Sequence, residues 1–260
     1  RTDGTDKGGV GVFVNYGQVN NSGTINVEKD SSANSNAVGI YAVNGSEVVN
    51  NGSVNVSGEK SIGLLGIAYR TDTAGNIVVD EFGTGAAGQG KVNITNRGDV
   101  NLDGEGAIGI FAKNNKAGTT FTNAVALNDT AGVITTTGTK SVGMAGEGAT
   151  ITNNGTINVN GQIGTGMFGE ASSRMENSGT INIAASTSPT EPNIGMYTED
   201  QNTEIYNNKD IIGGDNTYGI YGKTIDMSAT GKVKVGDNSV GVYSNGQYAS
   251  SATPNVTLAS

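Results

Sequence analysis

The sequence predicts an all-β fold, a parallel β-helix (solenoid) of about nine coils, each 22–29 residues long. Two phrases repeated in constant order predict it, together with a composition rich in turn residues and poor in apolar ones.

The first phrase is an aliphatic residue, a glycine, a second aliphatic and, in most copies, an aromatic. It reads Val10-Gly11-Val12-Phe13, Val38-Gly39-Ile40-Tyr41, Ile62-Gly63-Leu64-Leu65 and Ile108-Gly109-Ile110-Phe111. It continues as Val142-Gly143-Met144-Ala145, Thr165-Gly166-Met167-Phe168, Ile194-Gly195-Met196-Tyr197, Tyr218-Gly219-Ile220-Tyr221 and Val240-Gly241-Val242-Tyr243. Successive glycines are 28, 24, 46, 34, 23, 29, 24 and 22 residues apart. The 46 and the 34 read as one coil plus an insertion, at about 68–89 and about 113–127. This period is too long for a heptad or a nonapeptide and suits one turn of a solenoid.

The second phrase is aliphatic-x-Asn-x-Gly-x-aliphatic-x-aliphatic. It runs over Val19–Val27, Val48–Val56, Ile94–Leu102, Ile151–Val159 and Met175–Ile183. Ile205–Ile211 puts Lys209 in the glycine slot, Met227–Val235 puts Ala229 in the asparagine slot, and Asn128–Thr136 is a worn copy around Gly132. Alternation within each phrase, as in Ile25 and Val27 about Asn26, marks short strands with opposed faces. Asn-Gly, Ser-Gly and Arg-Gly pairs mark the corners, so each coil is read as three brief strands. Asn21, Asn50, Asn96, Asn153, Asn177 and Asn207 share one corner site, where stacked amides form a ladder from coil to coil. The glycines that follow are expected to supply a corner conformation that a β-carbon opposes. Nine coils at the strand spacing make a rod of roughly 40–45 Å.

Only 35% of the 260 residues are hydrophobic, against about 45–50% in an ordinary globule. A solenoid tolerates this because its core is a column one side chain wide. The chain is read as a single repeat domain over 1–260, cut from a longer polypeptide. A net charge of −9, with the 15 basic residues scattered, argues against nucleic acid and anionic membrane partners. No apolar run is long enough for a membrane helix. The chain has no His and no Cys, which removes the commonest general base and nucleophile. The chain is therefore expected to be no enzyme and to need no cofactor or metal.

Function is sought in the departures from the repeat. The first insertion carries Tyr69, Arg70 and Phe82; the second carries Lys113, Lys116 and Phe121. The fourth residue of the glycine phrase is expected to face outward with the glycine, while both aliphatics face the core. That places Phe13, Tyr41, Phe111, Phe168, Tyr197, Tyr221 and Tyr243 in an outer row. Such rings could stack on sugars or receive a protein, with Tyr197, Tyr221 and Tyr243 as ligand-binding candidates. The plainer alternatives are rings packed only on one another, or a row that lies inside. Arg97-Gly98-Asp99 spells an integrin-recognition tripeptide, but on a tight corner. Glu199, Asp200 and Glu204 form the densest acidic group, read as a solvated patch.

The phrases Asn21-Ser22-Gly23-Thr24-Ile25-Asn26-Val27, Asn153 to Val159 and Tyr218-Gly219-Ile220-Tyr221-Gly222 resemble the passenger region of type V autotransporter adhesins, most closely the very large fusobacterial outer-membrane kind. The resemblance covers nearly the whole chain apart from the insertions. It implies a right-handed β-helix displayed at the cell surface by a C-terminal barrel. It also implies adhesion to a protein or glycan on host cells or partner bacteria, by a monomer that does not itself enter the membrane. Two alternatives stay open: a pure spacer in the adhesin stalk, and a β-helical enzyme that degrades polysaccharide.

Overall fold

A computed structural model describes residues 9–28, 36–68, 70–71, 77–78, 90–114, 123–250 and 255–258. They form a parallel β-helix of nine coils with three faces. The second coil shows the plan: Val38–Val43 on the first face, Ser46–Asn50 on the second and Ser53–Val56 on the third. Each strand pairs in parallel with its counterpart one coil away, as in Val38↔Ile62, Asn50↔Asn96 and Val56↔Leu102. In the last two coils the first and second faces merge into strands of 11 residues, Thr217–Met227 and Val240–Ser250.

Both long insertions leave from the same corner, between the first and second faces, in consecutive coils. The first departs after Ile62–Ala68 and returns at Val92–Asn96. It includes an antiparallel pairing of Arg70–Thr71 with Ile77–Val78. The second is narrower than expected. The strand Ile108–Asn114 runs past Lys113, and the next strand resumes at Ala124–Asn128.

The core is a column of stacked like residues. On the first face Met144, Met167, Met196 and Ile220 lie in register and are fully buried. Ile134, Ile157, Ile181 and Ile211 do the same on the third face. The glycine of the first phrase joins them, which corrects the expected phase. A β-carbon on Gly143 would run into the Ile157 side chain and into the carbonyl of Gly166 one coil on. The glycine therefore points inward beside the buried second aliphatic, and two consecutive residues face the core. The reason is space: close packing leaves no room for a side chain between the third-face isoleucine and the next backbone. The first aliphatic is displaced outward, which is why Thr165 and Tyr218 can hold that slot half-buried.

The corner asparagines form the expected ladder, and it is longer than expected. Asn21 Nδ2 donates to Asn50 Oδ1 at 2.7 Å, Asn50 to Asn96 at 2.8 Å and Asn96 to Asn128 at 2.8 Å. Asn128 donates to Asn153 at 2.8 Å, Asn153 to Asn177 at 2.9 Å and Asn177 to Asn207 at 2.9 Å. Six of the seven are completely buried; Asn21 is partly exposed. Asn50, Asn96, Asn128 and Asn207 also close their own corners, as Asn96 does on the Gly98 carbonyl at 3.0 Å. Asn128 keeps the site although its corner is two residues longer, Asn128 to Val133 against Asn153 to Thr156. The same lengthening moves the eighth site: Met227, not Ala229, pairs with Asn207, and Ala229 lies in the corner. From Gly52 onward the corner glycines are required for space and not for conformation, while Gly23 in the first coil has open space beside it. None of Gly52, Gly98 or Gly155 has a positive φ, but a β-carbon on Gly98 would strike the Gly52 carbonyl one coil away.

Candidate functional site

The outward side of the first face carries the aromatic row. At the fourth phrase position Tyr41, Phe111, Phe168, Tyr197 and Tyr221 are half-buried, while Phe13 and Tyr243, in the first and last coils, are 56% and 43% exposed. The outward expectation for these rings stands, without the neighbouring glycine track. Leu65 and Ala145 interrupt the row on either side of Phe111 and are nearly buried. Two ring stacks result. Phe13 meets Tyr41 edge-on at 5.3 Å. Phe168, Tyr197, Tyr221 and Tyr243 make a continuous run with centroids 5.7, 5.4 and 4.9 Å apart.

Phe168 and Tyr197 are tilted by 30° and Tyr197 and Tyr221 by 58°, so the half-buried rings keep part of their surface open to solvent. Tyr221 and Tyr243 lie within 15° of parallel. Sequence reasoning missed Tyr218, because the aliphatic slot was expected to face inward. Its ring lies 6.3 Å from Tyr221, within 9° of parallel, and makes the run two rings wide at that coil. Burial first, and donation to the Glu199 carboxylate second, push the Tyr197 phenol up to about 12. It therefore stays a neutral donor across the physiological range.

Beside this run, where the corner between the first and second faces is lost, lies a cleft of about 200 Å³ lined by Thr198, Glu199, Tyr221, Lys223 and Asn245. A larger open groove, of about 450 Å³, crosses the third face over Asn26, Asn55, Asn101 and Thr135. Its amides are already bonded to one another, Asn55 to Asn26 at 2.8 Å and Asn101 to Asn55 at 3.0 Å. The groove is thus the outer counterpart of the buried ladder.

Of the insertion candidates, Tyr69, Phe82, Lys116 and Phe121 lie outside the described residues. The backbone of Arg70 pairs with Val78. Lys113 makes an ion pair with Glu147 one coil on, at 2.7 Å. The integrin-like tripeptide lies along the corner: Arg97 Nε donates to Asp129 at 2.9 Å and Gly98 stacks against Gly52. That donation holds the Asp129 carboxyl below the usual carboxylate range.

The acidic group separates into three different roles. Glu204 accepts from Arg174 at 3.5 Å and from the Tyr206 hydroxyl at 3.1 Å, with the Arg174 guanidinium 3.9 Å over the Tyr206 ring. Asp200 accepts from the Ser172 amide at 2.6 Å, the Asn202 amide at 3.2 Å and the Thr203 hydroxyl at 2.8 Å. Glu199 accepts from Tyr197 and faces the cleft.

Neither a curated protein nor a solved structure matches this chain. Residues 119–210, spanning the Asn128–Asn207 part of the ladder and the start of the aromatic run, match the family described as the BigA third pectate lyase-like domain. That stretch is thus similar to a pectate lyase-like β-helical domain, a likeness that fits an adhesin-like passenger of a surface-exposed bacterial protein.

Proposed function

We propose that this chain is part of the passenger of a type V autotransporter adhesin, most like the large fusobacterial outer-membrane kind. It is held outside the cell at the outer membrane. It is a monomeric, non-enzymatic rod that binds a protein or glycan on a host cell or partner bacterium without covalent chemistry, cofactor or metal. It takes no nucleic acid and does not insert into a membrane. The observation that carries this reading is the run from Phe168 to Tyr243, half-exposed aromatics held in line on a rigid face. Aromatic side chains held rigid on a surface are the residue types that dominate binding energy at interfaces. The common exit of both long insertions, next to the same face, adds to it.

The polysaccharide-cleaving alternative needs paired carboxylates at a controlled separation, or acidic calcium ligands beside a basic residue. Asp200 and Glu204 are instead held by donors from their own and neighbouring coils.

The test is retention of chain-coated beads on epithelial cells and on other bacteria. Replacing Tyr197, Tyr221 and Tyr243 together by Ser should lower retention about tenfold or more. Unchanged retention would place the contact away from the aromatic run, and no retention of the unsubstituted chain would assign this segment to the stalk as a spacer. New reducing ends from an incubated polysaccharide would assign it to an enzyme.

A further inference from the structure

We propose that the cleft at the merged corner of the last coils is a subsite for one neutral or N-acetylated sugar unit of a surface glycan. The proposal rests on the adhesin reading for its biological setting, and on the cleft alone for its chemistry.

The cleft sits where the winding departs from its own rule. In the earlier coils that carry no insertion there, a tight turn separates the first face from the second, as Asn44-Gly45 does with both residues at positive φ. The strands Thr217–Met227 and Val240–Ser250 have no such turn, and their pairing slips between Gly222 and Thr224. The preceding coil passes this corner through the turn between Tyr197 and Glu204, which Asp200 ties to the coil before it. A hollow opens between these two arrangements.

Its lining converges on one kind of ligand. Glu199 offers a carboxylate oriented by the Tyr197 hydroxyl. Lys223 offers an ammonium, Asn245 an amide, Thr198 a hydroxyl and Tyr221 a ring. Separate hydrogen-bonding groups around an aromatic edge, in a hollow for one small unit, match the hydroxyls and the apolar ring carbons of a pyranose. The carboxylate suits vicinal hydroxyls, and the ammonium and amide suit ring or acetamido oxygens.

Charge narrows the class. Glu199 within the cleft and a net charge of −9 on the chain disfavour acidic sugars. A peptide partner would need a longer groove than about 200 Å³ provides.

The experiment presents the full 260-residue chain to an array of neutral, N-acetylated and acidic oligosaccharides. Retention of neutral or N-acetylated members is expected. Lys223→Gln and Glu199→Gln should each weaken it about tenfold, the loss of one charge-assisted hydrogen bond. Lys140→Gln, a charge removed at a distant corner, should not. Both cleft substitutions are at the surface, and unchanged circular dichroism shows that the coil is intact. An array with no retained member, or retention indifferent to both substitutions, overturns the proposal.

A cell arm separates it from the adhesin reading. Bead binding that survives periodate treatment of the cells but not protease treatment identifies a protein partner. That outcome overturns the glycan subsite and keeps the adhesin. Array binding without any cell binding keeps the subsite and removes the adhesin.

Discussion

The amide ladder and the aromatic row climb the same coils on the same rod, yet one is continuous and the other broken. The ladder passes through seven asparagines with every link between 2.7 and 2.9 Å, even where the corner lengthens at Asn128. The row loses its rings at Leu65 and Ala145 and resumes at Phe168. Position relative to the core explains the difference. An inward amide that misses its partner strands two buried polar groups, whereas an outward ring that is replaced leaves only a shorter stack. Inward sites are thus held by necessity. Outward sites vary more freely, and the run that persists over four coils is held by ring contacts worth about 0.5–1.5 kcal/mol each.

The strongest way to break this contrast is to add volume on the inner side. Gly143→Val places methyl groups against the Ile157 side chain and the Gly166 carbonyl. It should destabilise the rod by more than about 3 kcal/mol, since the obstacle includes backbone that cannot rotate away. A urea melt followed by circular dichroism measures it, and an unchanged midpoint would refute the inward phase of the glycine.

A gentler break removes one rung. Asn153→Ala removes the acceptor of Asn128 Nδ2 and the donor to Asn177 Oδ1, at about 2–3 kcal/mol for two buried groups. Asn21→Ala, at the partly exposed end of the ladder, affects one neighbour and should cost about 1 kcal/mol or less. Equal losses at the two sites would mean that burial does not govern the ladder.

The corners between the third and first faces add another kind of constraint, set by backbone shape. Asn36, Lys60, Lys140, Ile163, Asn216 and Asn238 all have positive φ, between 37° and 57°. Ile163 is the branched residue among them, with a φ of 57° that branched side chains resist. Ile163→Asn should raise stability by about 1 kcal/mol, through relief of the left-handed strain. A lower melting temperature would show that the half-buried Ile163 side chain contributes more by packing than its backbone loses.

The winding, the coil number and the ladder were legible because they rest on repeated sterics. A glycine or an asparagine that must stack on its own copy leaves the same letter every two dozen residues. The phase of the first phrase was not legible. Strict alternation puts Gly143 outside, and only the third-face isoleucine, far away in sequence, reveals that the glycine gives way to it. Tyr218 was hidden for the same reason. The site was legible as a row of rings, but the cleft was not, because Glu199, Lys223 and Asn245 come from three successive coils and belong to no phrase. Ala229 misled because corner length changes the count between motif and register.

The smallest expected effect concerns Asp200, which ties the edge of the cleft to the coil before it. Burial alone would raise its carboxyl, but the Ser172 and Asn202 amides and the Thr203 hydroxyl outweigh this and hold it below the usual carboxylate range. A depressed native value means that the unfolded chain takes up its proton first as acid is added. The contribution of Asp200 is therefore complete above its unfolded value of about 3.9 and is lost as pH falls through the lower native one. Asp200→Asn should lower stability at neutral pH and make the melting temperature less sensitive to acid below about pH 4. Because the turn joins an outward cleft to a neighbouring coil, a parallel shift of the whole curve, with no change in its acid limb, would show that the aspartate acts there by shape alone.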